Sequence, residues 1–176
     1  MATFGKTTDG ATTSSSTAPR LWVSTATPAS TGTVTSGTAR IWLDTSSSST
    51  NTKMAIYADS SGLPGALLTT SDVLSLTATI EANQVFTFSG ANQITVTSGT
   101  PYWIGVAWDD PGTPSVVVSR DNTATSRYEQ TITSGPTLPN PFGTATANNT
   151  GPIDAFITYT VGAGVAVRTG GFLSLL

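Results

Sequence analysis

The side chains of this chain that could do chemistry are nearly all carboxylates and hydroxyls. Ten acidic residues stand beside seven basic ones among 176, with no His and no Cys. Asp109 and Asp110 are adjacent, Asp59, Asp72 and Asp121 fall in other turn-like segments, and Glu81 and Glu129 are the only glutamates. Two carboxylates held roughly 5–9.5 Å apart across a cleft could hydrolyse a glycosidic bond. A cage of carboxylates and carbonyls, about six to eight oxygens in all, could hold calcium. Neither has support in the spacing: there is no D-x-[DN]-x-[DN]-G loop, and Asp among Gly, Ser and Pro caps turns by accepting from nearby backbone N–H groups. Serines abound, but a nucleophilic Ser needs a base. With no His, that base would have to be Lys6 or Lys53, and no GxSxG, Walker A, GxGxxG or HExxH pattern is present. Without Cys there is no thiol nucleophile, disulfide or soft-metal site. The expectation is a binding or structural protein that is not an enzyme and carries no cofactor or metal.

Charge and hydropathy narrow the partners. The net charge is −3, and Lys6, Arg20, Lys53, Arg120, Arg127 and Arg168 are scattered along the chain. No window forms the basic patch that nucleic acid requires, so no nucleic-acid partner is expected. No apolar run approaches the roughly 20 residues of a membrane-spanning helix, and Met1 to Ala18 lacks the apolar stretch of a secretory signal. No membrane partner is expected either.

The elements that would position these residues read as strands. Segments rich in Val, Ile, Thr and aromatics alternate with Gly, Pro, Asn, Asp and Ser clusters, and none keeps a 3.6-residue period. Strands are predicted over 21–27, 38–45, 52–58, 72–79, 84–89, 93–97, 101–108, 115–120 and 153–161, with a weaker one over 125–132. In 101–108, Tyr102, Ile104, Val106 and Trp108 share one face, which is read as core. The turn DDPG, 109–112, predicts that 115–120 pairs back on 101–108 as a hairpin. Residues 134–152 form a long loop rich in Pro, Gly and Asn. The fold class is therefore all-β, an antiparallel β-sandwich of jelly-roll type with extended N- and C-terminal arms. Residues 1–20 are an extended N-terminal arm, 21–161 the sandwich, and 162–176 a Gly-rich tail with an apolar tip.

The pieces ARIWLD (39–44), MAIYADSSGLPGALLTTS (54–71) and VFTFSGANQITVTSGTPYWIGVAW (85–108) carry a recognisable pattern. It consists of a strand ending in Tyr57-Ala58-Asp59, then a connection with Gly62, Pro64, Gly65, Leu67 and Leu68, then Phe86 and Phe88. It closes on Gly99-Thr100 and the strand Tyr102-Trp103-Ile104-Gly105. This resembles the jelly-roll modules of phage virion proteins, including capsid decoration (cement) proteins, and of bacterial surface proteins. The resemblance covers under half of the chain, and its positions are those of core and turns, so it specifies fold better than function. It implies a virion structural protein that binds the outside of the head. The module fills most of this chain, which favours a stand-alone subunit over an accessory domain.

That reading places partner contacts in residues that could lie outside the core. Trp42 and Trp103 point to the opposite face of their strands from the core residues, toward a subunit interface or, as the alternative, a sugar-stacking platform. Phe4 is the only large apolar residue of the N-terminal arm, which is either a loose tail or docks on a neighbour. Phe172, Leu173, Leu175 and Leu176 either fold back or dock into an adjacent subunit. The partner would be the major capsid protein or another virion subunit. A homo-oligomer is expected, with a trimer suggested by lattice three-folds, and the location is the capsid surface of the virion. A carbohydrate-binding module that takes a glycan is the alternative.

Overall fold

The computed structural model describes residues 1–45, 49–112, 115–123, 127–133, 137–144, 146–148 and 151–162. Fourteen strands run through them: β1 (Ala2–Gly5), β2 (Thr12–Ser16), β3 (Arg20–Ala26), β4 (Gly32–Leu43), β5 (Thr50–Ser60), β6 (Leu63–Thr70), β7 (Leu74–Leu76), β8 (Asn83–Thr87), β9 (Thr95–Val96), β10 (Tyr102–Trp108), β11 (Val116–Arg120), β12 (Arg127–Thr131), β13 (Thr146–Asn148) and β14 (Ala155–Val161). A single 3₁₀ turn, Gly90–Asn92, is the only helical element among the described residues.

The strands form two antiparallel sheets packed as a sandwich. In the first sheet β4 is the long central strand. Its Ile41 and Leu43 amides donate to Ala82 and Ala78 along one edge, and its Arg40 amide and that of Asp44 just beyond it donate to Asp154 and Ser115 along the other. β8 and β9 lie along the first edge, while β14 and β11 follow one another along the second, flanked in turn by β1 and β2. The second sheet runs β13-β12-β3-β10-β5-β6, with β7 pairing the start of β5.

Alternation along the strands builds the core between the sheets. Ala39, Ile41 and Leu43 of β4, Phe86 of β8, Val116 and Val118 of β11 and Ile157 and Tyr159 of β14 face Trp22 of β3, Met54 and Ile56 of β5, and Tyr102, Ile104, Val106 and Trp108 of β10. Each such side chain, once buried, contributes roughly 1.5–3 kcal/mol. Trp22 and Trp108 meet edge-to-face at 4.8 Å, a favoured aromatic geometry.

Three expectations are corrected here. β10 and β11 do not form a hairpin: β10 is flanked by β3 and β5 in one sheet, while β11 pairs with β2 and β4 in the other. The Asp110 carboxylate does accept the Gly112 amide at 2.8 Å, so the local turn exists, but it leads the chain from one sheet to the other. The segment 59–68, read as a turn-rich connection, has its turn but also holds a strand: β5 and β6 form a hairpin joined by Ser61 and Gly62, both at positive φ (57° and 82°), as a two-residue type I′ turn demands. Finally, residues 1–20 are extended but are not a free arm, because β1 and β2 are hydrogen-bonded into the first sheet.

Candidate functional site: the open face of the first sheet

The two outer faces of the sandwich differ. On the second sheet the outward residues Leu21, Val23, Ala55, Tyr57, Trp103 and Ala107 make a second apolar cluster, roofed by Ile132, Leu138 and Phe142. The Tyr57 ring meets Phe142 edge-on at 5.1 Å and Trp103 meets Tyr128 at 5.2 Å. The Tyr57 hydroxyl donates to the Pro139 carbonyl, and burial pushes its pKa well above the usual phenol range. Every residue of β10 is consequently buried, since Ile132, Leu138 and Phe142 lie over the face that a sandwich strand normally gives to water.

No comparable cluster covers the first sheet among the described residues. Its outward side chains include Trp42, half-buried, beside Val117 of β11 and Ser15 of β2 in one cross-strand row. A second row runs from Phe156 of β14, also half-buried, through Thr38 to Val85 of β8, which is 61% exposed. Between the rows stands Arg40, whose guanidinium is bound by Asp9 at 2.7 Å and Glu81 at 2.8 Å. Much of the rest is Ser and Thr, with Thr3, Thr13, Thr87 and Thr160 all exposed, and Asn83 stands opposite Arg40. Aromatic and aliphatic groups set among hydroxyls can bury area against a partner, and the charges between them, Arg40 with Asp9 and Glu81, are already paired to one another with one negative charge in excess.

The residues proposed from sequence separate on this map. Trp42 lies on the open face. Trp103 points outward from its strand but is only 3% exposed, because the roof residues cover it, and its indole N–H donates to Asp59 at 2.8 Å. Phe4 is 4% exposed and packs inward against Tyr159 and Tyr102, with ring centres 5.7 and 6.0 Å away. Neither Phe4 nor Trp103 is a surface contact in this fold. Phe172, Leu173, Leu175 and Leu176 lie outside the described residues. Val85, Val117 and Phe156 were missed as partners of Trp42. Phe156 carries a legible signal, an aromatic at an outward position of the alternating strand 153–161, whereas the proximity of all four depends on sheet order.

Phe4 is held inward by more than its ring. The buried Asp154 carboxylate accepts from the Gly10 amide and the Ser119 hydroxyl, each at 2.5 Å. The Lys6 ammonium lies 3.4 Å from Asp154 and 3.1 Å from Asp121. The link between β1 and β2 is thereby clamped to the end of the sandwich, and the N-terminal segment becomes part of the domain.

Among the described residues no group of three or more His, Cys, Asp or Glu converges as a metal site would require, and no helix is long and apolar enough to cross a membrane. No family model, curated protein or solved structure matches this chain.

Proposed function

We propose that the protein is a phage virion structural protein, a capsid decoration (cement) protein that binds the outer surface of the head and stabilises it. The observation that carries this reading is the asymmetry of the sandwich. One outer face is sealed by the chain itself, while the other, uncovered among the described residues, presents Trp42, Phe156 and Val85 in a Ser/Thr-rich surround whose charges are gathered in the Arg40–Asp9–Glu81 cluster. A subunit that docks this face across neighbouring capsomers binds only the assembled lattice, and so stabilises it by mass action. Repetition over the lattice adds avidity. Side chains as short as Ser and Thr lose little entropy when ordered at such contacts. The jelly-roll resemblance of residues 39–108 supports the same reading.

The alternative, a carbohydrate-binding module, asked for a ring platform on Trp42 or Trp103. With Trp103 roofed over and Trp42 paired to Val117 rather than to another ring, that platform is reduced to a single half-buried indole.

Cosedimentation with undecorated phage capsids tests the proposal. The full chain is expected to bind saturably. Trp42→Lys is expected to bind at least tenfold more weakly while its thermal unfolding changes little, and a chain ending at Gly162 reads the share of Phe172, Leu173, Leu175 and Leu176. Absence of saturable binding by the unaltered chain overturns the decoration reading, and binding on a glycan array that Trp42→Ala abolishes would replace it.

A further inference from the structure

The cations that look scattered in sequence are partly gathered by the fold. The register of β12 on β3 places Arg127 beside Ser24, Glu129 beside Trp22 and Thr131 beside Arg20, all on the face that β3 turns toward the sandwich interior. β2, the edge strand of the first sheet, bounds this region on the other side. Between them lies a cleft of about 250 Å³ lined by Ser14, Ser15, Ser16, Arg20, Trp22, Arg127 and Glu129. Arg120 donates to the Ser14 hydroxyl at the same strand, so three of the chain's seven basic residues come to one place.

The charges here are incompletely matched. Arg127 is 2% exposed and lies over the Trp22 ring, 4.0 Å from its centre. Its one ionic contact among the described residues, Glu129, stands at 3.4 Å. Among the described residues its Nε and Nη1 have no hydrogen-bond partner, and neither does the buried Trp22 Nε1. Burial lowers the Arg127 pKa to about 10, with the charge of Arg120 acting in the same direction, so the side chain is still cationic at neutral pH. A buried guanidinium normally fills its donors, because each unpaired one retains its desolvation penalty. Arg20 reaches the cleft with one nitrogen bonded to Thr131 at 2.7 Å.

We propose that this cleft binds a carboxylate-bearing small molecule of the acidic-monosaccharide class. The guanidinium groups of Arg127 and Arg20 supply the positive charge for a carboxylate. The Ser14 hydroxyl, which accepts from Arg120 and keeps its own O–H to donate, and the Glu129 carboxylate supply a donor and acceptors for ring hydroxyls. Glu129 at the wall also disfavours a dianion, which selects a carboxylate over a phosphate. The unpaired nitrogens are sealed from solvent, so binding turns the Arg127 side chain toward the cleft and exchanges its long contact with Glu129 for the ligand. The site is separate from the open face of the first sheet and stands or falls independently of the decoration reading.

The test is a titration of the full chain with glucuronate, acetate, inorganic phosphate and glucose, followed through the Trp22 indole N–H resonance, which Trp22→Phe assigns. Glucuronate is expected to move that resonance saturably. Acetate should act in the same direction but at least tenfold more weakly, and glucose should have no effect. Arg127→Met should abolish the response. Arg20→Gln, altered at a half-buried position outside the core, should weaken it at least tenfold with unfolding unchanged. The proposal is overturned if glucuronate gives no saturable shift up to about 10 mM, below the weak end of useful small-ligand affinity. It is equally overturned if glucose matches glucuronate, if phosphate binds more tightly than either carboxylate, or if Arg20→Gln responds as the unaltered chain does.

Discussion

The indole N–H of Trp103 donates to one oxygen of Asp59 at 2.8 Å, while the other oxygen of that carboxylate accepts the Gly62 amide at 3.0 Å. One side chain thereby fixes the turn between β5 and β6 and ties it to the neighbouring strand β10. The register agrees, since Tyr57 sits opposite Trp103. Two stretches of the sequence pattern, Tyr57-Ala58-Asp59 and Tyr102-Trp103, are halves of a single contact.

Asp59→Ala should remove both bonds at once. Hydrogen bonds to charged groups contribute roughly 1.5–3 kcal/mol each, discounted here because the turn amide is exposed. The expected loss is about 2 kcal/mol in urea unfolding. Asp59→Asn retains one acceptor oxygen and should lose about half as much.

Phe4→Ala separates a core residue from a docking residue. With its ring 4% exposed and packed on two tyrosines, truncation should destabilise the isolated protein by about 3–5 kcal/mol, the range for a buried Phe. A change below about 0.5 kcal/mol, the range of surface substitutions, would return Phe4 to the surface.

Gly105 tolerates no side chain. A Cβ there would lie 2.0 Å from the Trp22 carbonyl oxygen and 2.6 Å from Val23 Cγ1, and backbone in the middle of a sheet cannot yield as a flexible side chain can. Gly105→Ala should therefore cost about 3 kcal/mol or more and reduce soluble yield. Gly99→Ala, where the added Cβ meets nothing but φ is +74°, should cost only about 1 kcal/mol, the order of a left-handed backbone penalty.

Alkaline stability should fall through Tyr57. Its folded pKa is raised by burial, so above the unfolded value of about 10 the unfolded chain loses a proton that the folded chain keeps. Its contribution is fully present below pH 10 and is lost as pH rises beyond it. Arg127, with its folded pKa lowered, acts oppositely in the same window, so the comparison must be differential. Urea midpoints measured from about pH 9 to 11 should fall less steeply for Tyr57→Phe than for the unaltered chain.

Much of the fold was legible because a β-sandwich writes a period of two into its strands. Tyr102, Ile104, Val106 and Trp108 are assigned to the core from alternation alone, and all four are in it. Alternation gives the face of a residue but not what covers that face. Trp42 and Trp103 carry the same outward signal, yet a roof of Ile132, Leu138 and Phe142 buries only Trp103. The hairpin of β10 and β11 failed for a related reason, since a turn sequence fixes a local bend but not which sheet the next strand joins.

The amino-acid sequence by itself determined an all-β chain without the His and Cys of most acid–base and thiol chemistry, because composition and strand period are local properties. Tertiary structure alone decided which outer face stays uncovered among the described residues, that Phe4 closes the core, and that Arg20 and Arg127 meet at one cleft beside β2. Each of these depends on the order of strands within sheets, set by many weak contacts between residues far apart in the chain.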